Sequence, residues 1–175
     1  MHSAGNQISV LTKRELMKAG NAYAFFVLGG YYEDGEMGMP QDITKANELY
    51  QKAGELGCAK GYCNLGVHYY IGRGVDVDKK KAKHYYELAA MSGCVQASHN
   101  LGYMEKEAGN YHRAIKHFIL SARAGCKESL DAVKKGFTNG IVTKDEYANT
   151  LRAYQSRQDE TKSDARDKAA AQLRM

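Results

Sequence analysis

The sequence predicts an all-α protein: a short right-handed α-solenoid of about three and a half stacked helical hairpins, with an extra C-terminal helix. Three observations carry this reading. One proline occurs in 175 residues, against about 5% in average proteins, whereas there are 18 glycines. A sheet sandwich full of tight turns would hold more proline, so glycine here punctuates helices. A pattern recurs at a nearly constant interval, with Leu28, Leu65 and Leu101 spaced by 37 and then 36 residues, which marks a repeat architecture. Within each recurrence, small and apolar residues fall at helical rather than strand spacing.

Residues 1–22 read as a lead-in with one modest amphipathic stretch, Leu11 to Met17. Residues 23–57 are the first repeat. Ala24, Leu28 and Tyr32 lie four apart on one helical stripe, and Gly29 beside it leaves room for a second helix. That second helix carries Ala46, Leu49, Tyr50 and Ala53, and Gly57 ends it. Residues 58–93 repeat the pattern most fully. Gly61, Leu65, Gly66 and Tyr69 make the first helix, and Gly72-Arg73-Gly74 with Asp78 makes the loop. Asp78 is placed to cap the next helix. Its stripe runs Ala82, Tyr85, Tyr86, Ala89 and Ala90 before Gly93, as an amphipathic helix requires.

Residues 94–125 form a shortened third repeat with Ala97, Leu101, Gly102, Ala114, Phe118, Ala122 and Gly125. Its loop is four residues shorter, around Gly109-Asn110-Tyr111. Residues 126–142 begin a fourth unit with Ser129 and Val133. Residues 143–175 open on a capping box, Thr143-Lys144-Asp145-Glu146. A helix follows through Tyr147, Leu151 and Tyr154. From Gln155 onward the chain is polar and alanine-rich, which predicts an exposed, fraying helix or tail.

The net charge of +5 is too mild for nucleic acid, which calls for clustered Lys/Arg stripes. Residues 23–57 carry a net −4 and residues 58–142 a net +6, a polarity that bears on partner choice. No apolar run reaches the 18–20 residues or so needed to cross a bilayer. The N-terminus does not read as a signal peptide, so cytosol or nucleus is expected and secretion is not. The four cysteines form no C-x-x-C pair, which fits reduced thiols. Cys58, Cys94 and Cys126 occupy equivalent positions and form a ladder of packing thiols. No histidine lies four from another, with His84 and His117 on outer stripes and His112 near His117, so no metal is expected and no cofactor is implied. Nucleophile elbow, phosphate loop and paired carboxylates are all missing. The tyrosine pairs, such as Tyr31/Tyr32, Tyr69/Tyr70 and Tyr85/Tyr86, are expected to place one ring in the core and one on the surface.

The recurring Leu-Gly, Gly-x-Gly-Val, Asp-x-x-Lys-Ala and Tyr-Tyr-x-x-Ala-Ala elements resemble the Sel1-like repeat, a relative of the tetratricopeptide repeat, over residues 22–140 or so. The resemblance implies a non-catalytic adaptor or scaffold that holds a peptide or helical segment of a partner protein in a concave groove. It places Phe26, Cys63, Asn64, Val67, Tyr70, His99, Asn100, Tyr103 and Lys135 in that groove, with Lys60 and Gln96 at its rim. Phe26 and Gly30 stand where a carboxylate clamp would need Lys and Asn. The two asparagines either grip a peptide backbone or bond between neighbouring helices. Two alternatives stay open: a substrate-recruiting part of a ubiquitin-ligase-type assembly, also implied by resemblance, and an enzyme with an unrecognised site. The partner and the oligomeric state are not specified.

Overall fold

The structure, a computed structural model, describes Glu15 and residues 20–172, the side chains of residues 166–171 excepted. Most of the expected stretch Leu11 to Met17 therefore lies outside the described residues. Among the described residues there are eight helices and no strand: α1 (Ala22–Asp34), α2 (Ile43–Glu55), α3 (Ala59–Ile71), α4 (Lys79–Met91), α5 (Val95–Glu107), α6 (Tyr111–Arg123), α7 (Lys127–Thr138) and α8 (Lys144–Gln172). Contacts divide the chain at Ala97/Ser98 into two compact units.

Each helix begins and ends for a local reason. Asp42 accepts from the Lys45 N–H at 2.9 Å, and Asp78 accepts from Lys80 and Lys81. The capping box at α8 is reciprocal: Thr143 Oγ1 accepts the Glu146 N–H at 3.2 Å, and Glu146 Oε2 accepts the Thr143 N–H at 2.9 Å. The outer helices stop on Gly57, Gly93 and Gly125, whose φ values of 94°, 82° and 104° belong to the left-handed region that glycine enters freely. The next residue closes the turn. The N–H groups of Cys58, Cys94 and Cys126 reach back to Ala53, Ala89 and Ser121 at 2.8, 2.9 and 3.1 Å.

The two helices of each hairpin touch through one repeated contact. A Cβ added at Gly29, Gly66 or Gly102 would lie 2.7, 2.5 or 2.6 Å from the ring of Tyr50, Tyr86 or Phe118. The glycine stripe is therefore a seat for an aromatic ring from the partner helix. Leu28, Leu65 and Leu101 are 4%, 2% and 2% exposed. Leu65 packs with Ala46 and Tyr50, ringed by Phe26, Tyr32, Tyr62 and Tyr85, so the first unit joins two hairpins in one core.

The tyrosine pairs divide less simply than expected. Tyr86 is in the core at 3% exposure. Tyr85 is half-buried rather than a surface anchor, because it stacks on Tyr69 (5.5 Å, 14°) and Tyr62 (5.8 Å, 30°). Tyr31, Tyr32, Tyr69 and Tyr70 are all half-buried. At the position equivalent to Tyr32 and Tyr69, the third hairpin buries Glu105 at 5% exposure, and Asn110 Nδ2 donates to it at 2.9 Å.

The second unit is closed by Ala114, Phe118, Val133 and Val142, with Tyr147 of α8 against them. Phe137 and Tyr147 stack at 5.1 Å and 9°. Thr150 is fully buried, and Gln158 Nε2 reaches the Gly125 carbonyl at 3.5 Å. Docking thus runs a turn beyond Tyr154, farther than the apolar pattern reaches. From Asp159 to Ala165 the side chains are exposed except half-buried Ser163. Removal of residues 160–175 is expected to leave the melting temperature nearly unchanged, since the sequence there offers no apolar stripe and residues 160–165 are exposed apart from Ser163. A drop of more than a few degrees in a thermal melt would show that this stretch docks.

Candidate functional site

In the first unit, Phe26, Lys60 and Asn64 gather around Tyr50. Phe26 lies 5.7 Å from the Tyr50 ring, and Lys60 Nζ sits 5.9 Å above the Phe26 ring. The Asn64 amide hydrogen-bonds the Tyr50 hydroxyl. That bond joins neighbouring helices, the structural one of the two roles open to this asparagine. Val67 is half-buried. Lys79 Nζ lies 5.1 Å over the Tyr70 ring.

Beneath Tyr50 runs a buried polar chain. The Tyr50 hydroxyl donates to Glu33 Oε2 at 2.5 Å. His68, 2% exposed, sets Nε2 3.2 Å from Glu33 Oε1 and Nδ1 2.5 Å from Asn47 Oδ1. Asn47 Nδ2 donates to the Arg73 carbonyl at 3.4 Å, and Arg73 Nη1 pairs with Glu33 Oε1 at 3.1 Å. The Glu33 carboxyl is held down at about 2, chiefly by the hydrogen bond from His68. Burial opposes this, while the Tyr50 hydroxyl and the charges of His68 and Arg73 add to it. Burial and the neighbouring Glu33 push the Tyr50 phenol up. The glycines of Gly72-Arg73-Gly74 serve the turn that carries Arg73 to this chain, consistent with their reading as turn residues.

The second unit holds an open cleft of about 470 Å³ between α5, α6 and α7. Three of the expected groove residues, His99, Tyr103 and Lys135, line it together. His99 is part of the floor at 8% exposure. Its Nδ1 meets Ser129 Oγ at 2.7 Å, and burial lowers its pKa. Tyr103, 50% exposed, stands edge-on to Phe118 (5.9 Å, 88°) with Lys106 Nζ 5.6 Å over its ring. Ile115, Phe118 and Ile141 give the cleft an apolar base, and Lys106, Lys135, Glu128 and Asp131 give it charges of both signs. A shallower hollow at Gly109–Arg113 shares Tyr111 and Ile141 with it. Gln96 and Lys60 are exposed, and Asn100 is half-buried.

Lys106 and Asp131 were missed by the sequence reading, yet its own spacing marks them. Lys106 stands five after Leu101 as Tyr70 does after Leu65, and Asp131 stands two before Val133. Glu128 stands five before Val133, as the rim residues Lys60 and Gln96 stand five before Leu65 and Leu101, whereas Tyr111 and Ile141 carry no repeat signal. Among the described residues no group of three or more His, Cys, Asp or Glu side chains is arranged to hold a metal ion. No described helix is long and apolar enough to cross a membrane.

Comparison with known proteins places this geometry. A sel1-like repeat-containing protein of Acanthamoeba polyphaga mimivirus is 31% identical over 104 residues, 58% of this chain and 19% of that protein. The crystal structure of a Sel1 repeat protein from Oxalobacter formigenes superposes with a TM-score of 0.74 at 22% identity, over 86% of this chain and 64% of that one. A protective antigen of uropathogenic Escherichia coli with an SLR fold gives 0.72 at 29% identity, over 86% and 33%. The chain thus spans about a fifth of the viral relative's length and less than two thirds of either structure's. The Sel1 repeat family matches residues 22–58, 59–94 and 95–126 in succession, and the chain belongs to that family.

Proposed function

We propose that the protein is a non-catalytic adaptor or scaffold working inside the cell, and that its partner's peptide or helical segment is held in the cleft between α5, α6 and α7. Repeats of this family commonly serve protein–protein interaction. The observation that carries the reading is the meeting of Tyr103 and Lys135 at an apolar base with mixed charge at its edges. Tyrosine loses little conformational freedom on binding and makes a good anchor, and a charged rim around an apolar centre is the anatomy of a protein interface. An enzyme would instead need convergent polar groups around a reacting atom.

The test is affinity capture followed by titration of the identified partner. Tyr103→Ala with Lys135→Ala is expected to weaken binding by about 2 kcal/mol or more, the scale of a true hot spot, with the helical circular-dichroism melt unchanged. Leu120→Ser, 60% exposed on α6 and not part of the cleft lining, should bind like the parent. A folded double variant that binds at full strength would rule the cleft out as the binding site.

A further inference from the structure

We propose that Cys63 and Cys94 are a reactive thiol pair that hydrogen peroxide converts reversibly to a disulfide joining two successive hairpins. The pair arises from the register of the stack. Cys63 lies on α3, two residues before Leu65, and His99 lies on α5, two before Leu101. His99 Nδ1 is 3.9 Å from Cys126 Sγ, the thiol that opens the next hairpin. The same offset sets Cys63 against Cys94, where both partners are thiols and share a hydrogen bond. Cys94 and Cys126 thus each meet the residue two before the leucine of the preceding hairpin. A disulfide requires close approach of the two side chains, and the thiol–thiol hydrogen bond brings the two sulfurs next to each other.

The two sulfurs are unequal. Cys94 is half-buried, within reach of a small oxidant, whereas Cys63 is 6% exposed. The Cys94 thiol is held well below its ordinary range, first by the hydrogen bond from Cys63. Burial opposes this, and the N–H groups of Ala97 and Gln96 in the first turn of α5, together with the charge of Lys60, assist it. Cys63 is pushed up by its bond to Cys94, then by burial. Cys126 differs, since its S–H is directed at Glu128 Oε2 at 3.3 Å. Cys94 is therefore the attacking thiolate and Cys63 the resolving thiol.

The chemistry balances with peroxide as the two-electron oxidant. The Cys94 thiolate attacks one peroxide oxygen, the O–O bond breaks, and the departing hydroxide takes a solvent proton to become water. The product is a sulfenic acid on Cys94. Cys63 sulfur then attacks the Cys94 sulfur. The S–S bond forms as the S–O bond breaks, and the Cys63 proton leaves with the hydroxyl as a second water. A dithiol reductant returns both thiols by exchange.

The experiment treats the reduced full chain with hydrogen peroxide, blocks remaining thiols with N-ethylmaleimide, and maps non-reduced peptides by mass spectrometry. Expected are a Cys63–Cys94 linked peptide, an intact mass lower by two hydrogens, and reversal by dithiothreitol. Cys63→Ser should stop at a Cys94 sulfenic acid that dimedone traps. Cys94→Ser should give no linked peptide and should oxidise many-fold more slowly. Cys63→Ala replaces the serine variant if a hydroxyl disturbs the core, and if both unfold, the parent chain decides alone. Absence of the linked peptide in the folded parent, or oxidation of Cys94→Ser at the parent's rate, would overturn the proposal.

Discussion

Leu65→Ala lowers the free energy of unfolding by about 2–5 kcal/mol, the range for truncating a buried leucine. Leu65 is 2% exposed and sits where α2 of the first hairpin meets α3 of the second, between Ala46 and Tyr50 on one side and Tyr62 and Tyr85 on the other. These rings cannot collapse into the space a lost isobutyl group leaves, because each is already fixed. Tyr50 is tied through its hydroxyl to Glu33, and Tyr85 is stacked on Tyr69. The upper half of the range is expected. Chemical denaturation of parent and variant measures it, and a loss under 1 kcal/mol would mean the core relaxes around the site.

Acid removes a second contribution. The Glu33 carboxyl is lowered from 4.5 to about 2 in the folded chain, so the unfolded state binds its proton first as pH falls. The stabilisation is present in full above about pH 4.5 and is lost as pH drops through the interval down to about 2. Glu33 keeps 15% of its side-chain surface exposed. A shift of one unit corresponds to about 1.4 kcal/mol, and discounting for screening by water leaves roughly 1–2 kcal/mol. Glu33→Gln is therefore expected to be less stable than the parent at pH 6 by about that amount, with the gap closing toward pH 2. Melts of the two proteins across this interval test it. A gap that is constant with pH would place the stabilisation in shape rather than charge.

The fold was legible because its core contacts recur. Leu28, Leu65 and Leu101, and the glycines that seat Tyr50, Tyr86 and Phe118, each appear three times, so one contact read correctly supplies the other two. The polar chain Glu33–Asn47–His68–Arg73 appears once and draws on four separated positions, and nothing in local spacing joins them. The thiol contact escaped for a related reason. A ladder compares equivalent residues, whereas Cys63 and Cys94 are neighbours at different places in the pattern. Of the expected binding residues, His99, Tyr103 and Lys135 share the cleft, while Phe26, Lys60 and Asn64 gather separately around Tyr50.

The cysteines at the joints have a consequence for how such a chain can lengthen. Cys58, Cys94 and Cys126 each close the turn that ends one helix and directly precede the next helix. The same residue therefore closes one helix and leads directly into the next, within a joint only three residues long. An insertion there would break the backbone hydrogen bond by which the cysteine N–H closes the preceding helix. Inside a hairpin the constraint is absent, and the loops that end at Asp42, Asp78 and Asn110 already differ in length. Growth by whole hairpins, and grafting of foreign segments into the loops within them, are the two changes of length that leave the joints intact.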